Sequence, residues 1–355
     1  MTQPGEITEQ EIYQQPGIVD FVLDKSQREH DEIQSFLNNH NPAEAIFCGS
    51  GTSYFLAQSC ARIFQQYTGL RCRALPSSEL FLFGDSLVSA GGESETLLFA
   101  FSRSGETTET VKAVRYADAK YGMDGFGFTC YPDSKLASSV NYAFTIEEGQ
   151  EESVVMTKSF TGMLVALQRT ATIYAGAHES YEELETLPSV IEETLHSSEK
   201  VIQALLTEGR PSQYVFLGAG PFYGLANESM LKMKEMALQI TESFHPLEYR
   251  HGPKSTASEE TLISVYCSDS GLDYELTLLQ ELKELGAQVV AISEQNGHLD
   301  RAVDFSLTLD SNLDQFLRIS SYLPFAQLLA LKVALAQGLN PDHPRNLDQV
   351  VRLEE

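Results

Sequence analysis

The chain has 355 residues, a length typical of two domains. Hydrophobic residues make up 42% of it, enough to build buried cores, which excludes wholesale disorder. Lys and Arg number 24 against 50 Asp and Glu, giving a net charge of -26. This charge excludes a general nucleic-acid binder and disfavours binding to an anionic membrane, because both depend on clustered positive charge.

The chain carries no evident targeting or membrane signal. The polar, acidic N-terminus lacks the basic start and apolar run of a signal peptide. The longest apolar runs, such as 97–101, are strand-sized and shorter than the roughly 18 residues of a membrane span. The five cysteines are an odd number without a CxxC motif or metal spacing, and Cys48, for example, lies in an apolar run, so we expect reduced thiols and a cytoplasmic protein.

The sequence repeats itself. FCGSGTSYFLA at 47–57 and FLGAGPFYGLA at 216–226 share the pattern F-x-G-x-G-x-x-Y-x-L-A. Further on, SRSG at 102–105 has a counterpart in SDSG at 268–271, and each follows an apolar run and precedes a helix-like stretch. A third apolar run then follows in each half, GFGFTC at 125–130 and AQVVAIS at 287–293. Three matches in the same order predict a duplicated unit.

Each half is predicted to be α/β. Its strands are short unbroken apolar runs, typical of a parallel sheet covered by helices on both faces. Right-handed crossovers then give a flavodoxin-like doubly wound sheet that binds ligands at the carboxyl ends of its strands. The predicted regions are an N-terminal helical region (1–40), a first domain (41–180), a connecting helix (181–206), a second domain (207–338) and a C-terminal tail (339–355).

Two hydroxyl-rich turns in the first half could bind an anion. The segment 102–108 (SRSGETT) follows a strand and opens a helix, so its N–H groups, hydroxyls and helix dipole could hold a phosphate. The alternative is that these hydroxyls merely cap the helix. The turn at 49–53 (GSGTS) is neither a dinucleotide fingerprint nor a P-loop. The matching turn at 218–222 has lost its hydroxyls, which predicts one phosphate-monoester site per chain, in the first half.

A second cluster of polar residues could move a proton. The residues 222–241 are predicted to form one helix with Glu228, Lys232, Glu235 and Gln239 on a shared face. This could be a solvated face, but many apolar neighbours favour a packed helix with Glu235 partly buried and able to act as a base. The following segment, 244–253, is predicted to be a loop without a packing role. Its histidines, His245 and His251, lack a third ligand at metal-site spacing, so no metal or cofactor is expected.

Six motifs together resemble the double-SIS sugar-phosphate proteins, above all the isomerase half of glucosamine-6-phosphate synthase and its deaminase-type relatives. They are GSGTS (49–53), SRSGET (102–107), VVMTKSF (154–160), the KMKEM helix (232–236), EYRHGP (248–253) and HPRNL (343–347), in the family's order. The resemblance covers the chain from about residue 45 to the tail. It implies two tandem SIS domains, each a five-stranded parallel sheet flanked by helices, and a homodimer.

The resemblance also implies the site residues. Ser102, Arg103, Ser104 and Thr107 would hold the 6-phosphate of a hexose, with Thr52 and Ser53 beside it, and Arg103 replaces the glutamine common in the synthase. Val154 and Glu228 would contact the sugar. Glu235 would move a proton between C1 and C2, and His251 would open the sugar ring in the neighbouring subunit's site. The tail would cover the active site and place Asp348 and Gln349 there.

The chain departs from the synthase at functional positions. It starts at Met1-Thr2, without the synthase's N-terminal cysteine nucleophile or glutaminase domain. Gln349, preceded by Asp348, stands at the position of the synthase's Schiff-base lysine, and no lysine follows Lys332. Proton shuttling without that amine suits a substrate that already carries its nitrogen. We therefore expect a metal-free deaminase that converts glucosamine 6-phosphate to fructose 6-phosphate and ammonia through an enolamine.

Two alternatives stay open. The same site could serve a fructosamine-6-phosphate deglycase or an isomerase of galactosamine or tagatose phosphates. A non-catalytic sugar-phosphate-binding regulatory protein would bind without turnover, and it usually carries a DNA-binding domain. Residues 1–40 are too short and too acidic for a helix-turn-helix.

Overall fold

The computed structural model describes residues 3–40, 42–88, 96–209, 211–295 and 299–353; Met1, Asn41 and Glu355, which bound predicted regions, lie outside them. The chain forms two compact units. The N-terminal unit comprises Gly17–Glu185 and Asp348–Glu355, and the C-terminal unit comprises Met1–Pro16 and Thr186–Leu347. The first helix thus belongs to the C-terminal unit, and the last eight residues belong to the N-terminal unit. The predicted region boundaries stay a prediction.

The first half of the chain alternates helices and strands. In chain order these are α1 (Glu6–Tyr13), α2 (Gln15–Arg28), α3 (His30–Asn38), β1 (Glu44–Gly49), α4 (Thr52–Thr68), β2 (Arg71–Pro76), α5 (Ser77–Leu87), β3 (Thr96–Phe101), α6 (Thr108–Tyr121), β4 (Gly125–Thr129), β5 (Tyr142–Thr145) and α7 (Lys158–Ala175). The five strands form a parallel sheet in the order β2-β1-β3-β4-β5.

The second half repeats this plan. Its elements are α8 (His178–Glu183), α9 (Leu187–Glu208), β6 (Gln213–Gly218), α10 (Phe222–Ala237), β7 (Ile240–Phe244), α11 (Pro246–Tyr249), β8 (Thr261–Tyr266), α12 (Leu272–Glu284), β9 (Gln288–Ser293), α13 (Leu299–Ala302), β10 (Phe305–Thr308), α14 (Gln315–Arg318) and α15 (Leu323–Ala336). The sheet order β10-β9-β8-β6-β7 is the first sheet's order read from the other edge. The predicted α/β class, with two tandem five-stranded parallel sheets, is confirmed.

Both faces of the central strands are buried, which explains their unbroken apolar sequence. On one face of the first sheet, phenylalanine rings from three adjacent strands stack, with 4.7 Å between the centroids of Phe47 and Phe99 and 4.9 Å between those of Phe101 and Phe128. Intervening residues such as Ile46 and Leu98 belong to a separate buried cluster. Alternate side chains thus enter two different cores.

The two glycine turns have matching geometry, which supports the predicted duplication. A Cβ on Gly49 would lie 2.3 Å from the carbonyl oxygen of Ser53, and one on Gly218 would lie 2.3 Å from that of Phe222. Gly51 and Gly220, two residues later in each turn, both have a φ of 56°. Because a side chain would collide or be strained at these positions, both halves require glycine there.

The predicted helix at 222–241 is too long. Helix α10 ends at Ala237, where Leu238 takes a left-handed conformation with a φ of 55°. The residues that follow form β7, which pairs with β6 from Ile240↔Gln213 onward. Pairing with the sheet edge overrides the helical pattern, so Gln239 lies outside the helix.

The segment 244–253 is also more ordered than predicted. Pro246 lies in the first turn of α11, a position where proline's missing N–H costs no hydrogen bond. Tyr249 is fully buried, and its ring centroid lies 5.5 Å from that of Phe244. The prediction of a loop without a packing role was wrong, since local polarity concealed these aromatic anchors.

The C-terminal unit contains one long apolar helical segment. Gln315–Ala336, of 22 residues, has a mean hydropathy of 1.4 in its most apolar 18-residue window, enough to pass for a membrane span by length and composition. Of that window, 83% is buried inside the protein. Buried core helices can be as long and as apolar as a membrane span. Helix α15, which forms most of this segment, packs against α9 and α10 within the C-terminal unit. The expectation that no stretch approaches a span in length was wrong, although this single helix is weak evidence for a span.

The first helix is tied to the far end of the chain. The carboxylate of Asp342 accepts hydrogen bonds from the backbone N–H groups of Gly5 and Thr8, at 3.0 and 2.8 Å, and from the Thr8 hydroxyl at 2.8 Å. These bonds satisfy donors at the N-terminus of α1, which has no side-chain cap of its own. This contact groups α1 with the C-terminal unit and could not be read from local sequence.

Candidate functional site

Both hydroxyl-rich turns lie at the same edge of the first sheet. Strands β1 and β3 are parallel neighbours, so their carboxyl ends, where the turns 49–53 and 102–107 begin, are adjacent. Thr52 and Ser53 open α4 and are nearly buried. The carboxyl edge of a doubly wound sheet is where such folds bind ligands.

The turn 102–107 is held by its own hydroxyls. Ser102 Oγ accepts the Gly105 N–H at 3.1 Å and donates to Thr107 Oγ1 at 3.2 Å. Ser104 Oγ accepts the Glu106 N–H at 3.1 Å. Gly105 has a φ of 64°, and a Cβ there would lie 2.1 Å from Ser134 Oγ. The result is a compact, preformed turn that no larger residue at 105 could adopt.

The capping alternative does not account for these hydroxyls. Thr107 occupies the N-cap position of α6 and makes no side-chain cap hydrogen bond. At α4 the N-cap is Gly51, which has no side chain to cap with. The hydroxyls of the turn 102–107 bond within the turn itself, and their binding of a phosphate stays a prediction.

Arg103 is committed to protein partners within this structure. Its guanidinium makes an ion pair with Glu151 at 3.0 Å and donates to the carbonyl oxygens of Val154 at 2.9 Å and Gln349 at 3.2 Å. Its side chain is 7% exposed. Arg103 therefore joins the turn to the segment 151–159 and to the tail, while its predicted contact with phosphate stays a prediction.

Glu151 is a site residue that sequence reasoning missed. Its buried carboxylate accepts the N–H groups of Thr157 and Ser159 at 2.7 and 3.1 Å, as well as both their hydroxyls and the Arg103 guanidinium. Glu151 thereby fixes the loop that carries Val154 beside the turn. In the glutamate-rich run EEGQEE (147–152) of an acidic chain, nothing distinguished Glu151 from its neighbours.

The tail reaches the turn through Gln349. Its side-chain amide donates to the carbonyl oxygen of Glu151 at 2.7 Å, beside the contact of its own carbonyl with Arg103. Asp348 is exposed. Within the N-terminal unit the structure thus brings Gln349, Arg103 and Val154 together, and their role in a site stays a prediction.

The predicted proton-transfer residues lie in the C-terminal unit, on α10. Lys232 is fully buried between Glu228, at 3.3 Å, and Glu235, at 2.5 Å. Burial by itself lowers the pKa of Lys232, but the two carboxylates together outweigh it and the pKa is raised. Glu235 has an 18% exposed side chain, so it is partly buried as predicted, but it is paired with a cation. Sequence reasoning placed Lys232 on this face without recognising that it joins the two carboxylates.

His251 follows α11 in the same unit and is exposed. Its backbone N–H donates to the Glu248 carbonyl at 3.0 Å, which fixes the turn but leaves the ring at the surface. His245 stacks on Tyr223, with 4.0 Å between ring centroids. The roles predicted for Glu228, Glu235 and His251 stay predictions.

The second S-x-S-G turn keeps the geometry of the first but holds a carboxylate of its own. Ser268 Oγ accepts the Gly271 N–H at 3.0 Å, as Ser102 does for Gly105. The Ser268 N–H and hydroxyl both bind Glu275, from the first turn of α12, at 2.9 Å. The Glu275 carboxyl group thus occupies donors of this turn, and a single phosphate site in the first half stays a prediction.

Glu275 makes stability depend on pH. Burial, opposed by the hydrogen bonds from Ser268 and aided by Asp269, raises its pKa from 4.5 to about 7. The folded state therefore binds this proton more tightly than the unfolded chain, and stability falls as pH rises from about 4.5 to 7. We expect Glu275→Gln to raise the free energy of unfolding at pH 8.5 by about 3 kcal/mol and to change it much less at pH 5.

Urea unfolding of both proteins at the two pH values checks this expectation. Glu284→Gln, which changes an exposed carboxylate of the same helix, serves as the control and should have little effect at either pH. An equal effect of Glu275→Gln at pH 5 and pH 8.5 would contradict the titration of a buried carboxyl.

Comparison with known proteins identifies the family. Residues 40–173 match the model of the SIS domain. The crystal structure of a glucosamine-6-phosphate deaminase from Thermotoga maritima is 30% identical, covers 94% of this chain and 100% of its own, and superposes with a TM-score of 0.76. The chain belongs to the SIS-domain family.

Other relatives of this SIS-domain chain are named for related activities. It is 29% identical over 315 residues to the isomerizing glutamine–fructose-6-phosphate aminotransferase of Haemophilus ducreyi, covering 86% of this chain and 51% of the relative. The chain spans about half the length of the first curated relatives it matches. The structure of tagatose-6-phosphate ketose/aldose isomerase from Escherichia coli is 26% identical, covers 97% of this chain and 99% of its own, and has a TM-score of 0.84. The predicted relationship to the isomerase domain of the synthase is confirmed as homology.

Proposed function

We propose that this SIS-domain protein is a sugar-phosphate isomerase of the deaminase type, acting on glucosamine 6-phosphate. The observation that carries the proposal is the buried ion-paired group on α10, in which the Lys232 ammonium joins Glu228 to Glu235. A neighbouring positive charge stabilises a carboxylate in its ionised form, which is the form that accepts a proton. The name of the Thermotoga maritima relative supports the choice of reaction.

The phosphate would bind to the turn 102–107. Ser102, Ser104 and Thr107 supply hydroxyls, and Thr52 and Ser53 supply two more from the neighbouring strand end. The N-terminus of α6 adds its partial positive charge, which matters in a chain whose net charge of -26 repels anions. Arg103 contributes by holding the turn and, in our proposal, by its charge.

Proton transfer would then proceed between C1 and C2. His251 assists ring opening by moving a proton between the anomeric hydroxyl and the ring oxygen. Glu235 removes the proton from C2 of the open aldehyde while the aldehyde oxygen takes up a proton, which gives an enolamine. Glu235 then returns a proton to C1 as the nitrogen loses one. The product carries an imine at C2, and water adds to it to release ammonia and fructose 6-phosphate. General acid–base steps of this kind contribute about 10² to 10⁴ each in rate.

Gln349 favours deamination over amination. A glutamine side chain cannot form an imine with a ketose, as the lysine expected at this tail position would. Its amide instead donates to the Glu151 carbonyl within the N-terminal unit. A substrate that carries its own nitrogen needs no such lysine.

The remaining finer assignments are part of the same proposal. The second sheet repeats the topology of the first, and on that basis we assign it as a second SIS domain. The site would be completed in a homodimer by His251 of a neighbouring subunit, and the protein would be cytoplasmic. Tagatose-phosphate isomerisation is the second candidate activity, favoured by the likeness to the Escherichia coli isomerase.

We expect the protein to release ammonia and fructose 6-phosphate from glucosamine 6-phosphate in equal amounts. Coupled assays for each product measure this, and tagatose 6-phosphate and galactosamine 6-phosphate run in parallel as alternative substrates. Binding is followed separately by the shift in melting temperature that the substrate produces. Binding of glucosamine 6-phosphate without ammonia would reject the deaminase, and turnover of tagatose 6-phosphate alone would establish the isomerase instead.

A further inference from the structure

A positively charged cleft lies in the N-terminal unit beside α6. Its cations are Lys112 and Arg115 on α6, Lys135 in the segment after β4, and Arg352 in the tail. The cleft has a volume of about 660 Å³, within the range that small-molecule sites occupy. Four of the chain's 24 Lys and Arg residues thus line one cleft of a protein with a net charge of -26.

Three of the four cations make no ion pair with a described residue, although the charge of Arg352 also acts on Glu106 and helps to lower its pKa. Among the described residues, Glu106 is the one carboxylate lining the cleft, and it pairs with Lys135 at 3.1 Å. Lys112 lies over the Phe81 ring, 4.8 Å from its centroid, and Arg115 donates to the Ser139 hydroxyl at 3.1 Å. Within the described part of the chain, no carboxylate lies within 4.0 Å of the charged groups of Lys112, Arg115 or Arg352. Because the chain has 50 acidic residues, three cations without such a partner in one cleft indicate a place for an anion from outside.

The walls of the cleft suit an organic anion. Tyr116 and Leu353 line it together with the cations, so a planar or apolar group could pack there. Arginine presents a planar fork of donors that matches phosphate oxygens, and two of the four cations are arginines. Several positive charges in one cleft favour a ligand with more than one negative charge.

We propose that this cleft binds a small organic phosphate carrying at least two negative charges, as a second ligand distinct from the proposed substrate. The cleft lies next to the turn 102–107 and shares Glu106 with it, but its cations lie on α6, after β4 and in the tail. The proposed substrate phosphate instead contacts the hydroxyls of Ser102, Ser104 and Thr107. Leu353 already bonds α6 through its N–H to Thr108 Oγ1 at 3.3 Å. A ligand that binds Arg352 and Lys112 together strengthens this attachment of the tail, so it stabilises the tail beside Arg103 and Gln349.

The test uses inorganic pyrophosphate as the probe and calorimetric titration of the full chain. We expect Lys112→Gln/Arg115→Gln to weaken pyrophosphate binding by about tenfold or more, and Arg352→Gln to weaken it by about threefold. Arg352 lies in the exposed tail, so its replacement does not threaten folding. The control Arg62→Gln/Lys200→Gln removes two exposed cations elsewhere and should leave the affinity within about twofold.

A second variant separates the cleft from the proposed substrate site. Ser102→Ala/Thr107→Ala should retain tight pyrophosphate binding, because it alters only the turn. The proposal is overturned if the wild-type chain does not bind pyrophosphate, if the cleft and control variants lose affinity equally, or if binding is lost only in the turn variant. Glucosamine 6-phosphate does not enter the titration, so failure of the proposed function would leave this result unaffected.

Discussion

Glu235→Gln should lower the turnover of glucosamine 6-phosphate by at least about 100-fold and as much as 10⁴-fold, while the substrate still binds. The amide is nearly the same size as the carboxylate but cannot accept a proton from carbon. The partners proposed for the phosphate lie on other segments, so the shift in melting temperature with substrate should persist. Steady-state assays of ammonia release and thermal shifts measure the two quantities.

The matched control for this variant is Lys234→Gln. Lys234 is the exposed neighbour of Glu235 on α10, so its replacement changes a charge on the same helix without touching the buried group. Its turnover should remain within about twofold of wild type. Turnover by Glu235→Gln close to that of the control would remove Glu235 from the mechanism and, with it, the proposed route through an enolamine.

Glu151→Ala should destabilise the N-terminal unit by about 3–5 kcal/mol, a large fraction of the stability of an ordinary domain. It removes the acceptor for two backbone N–H groups and two hydroxyls, and leaves the buried Arg103 guanidinium without its carboxylate. Urea unfolding followed by far-UV circular dichroism measures the loss. Apparent affinity for hexose 6-phosphates should fall as well, since Arg103 and the Val154 loop lose their common anchor.

A double-mutant cycle separates the pair from the rest of the network. Arg103→Met in the Glu151→Ala background removes the unpaired charge, so it should cost less than the same change in the wild-type chain. Glu148→Ala, an exposed carboxylate three residues earlier, should have little effect on stability. Additive effects of Arg103→Met and Glu151→Ala would show that the two residues do not act together.

The predictions for Glu235 and Glu151 concern two different roles. Glu235 would act on the substrate's carbons directly, whereas Glu151 is a positioning residue that acts through Arg103 and the loop 153–159. Loss of Glu235 should therefore change turnover at constant binding, and loss of Glu151 should change stability and binding together. These signatures distinguish a chemical role from a structural one.

The strands and the repeat were predictable because their signals are local. Runs such as TLLFAF coincide with β3, since a strand buried on both faces must be apolar at every position. The glycines at 49 and 218 recur because the same close approach of backbone occurs in both turns. The hydroxyls at 102, 104 and 107 could be located at a strand end because the apolar run before them and the helical pattern after them are local signals.

The two wrong predictions of secondary structure came from sequence patterns that are compatible with more than one structure. The apolar and polar spacing after Ala237 fits a helix as well as a strand, and the free edge of β6 decided for a strand. Polar residues in 244–253 predicted a loop, yet the burial of Tyr249 orders the segment around a short helix. Both segments take their structure from contacts with other parts of the chain, which their own residues do not reveal.

The amino-acid sequence by itself determined the α/β class, the duplication, the strand ends that carry the hydroxyls and the helix that carries Glu235. Only the tertiary structure decided that Glu151 holds Arg103 across 48 residues, that Gln349 reaches the same arginine from 246 residues away, and that Asp342 caps the first helix. Secondary structure follows from periodic apolar positions and turn residues within a short window. Ion pairs and caps instead depend on which distant segments packing brings within about 3 Å, and on how far burial removes them from water.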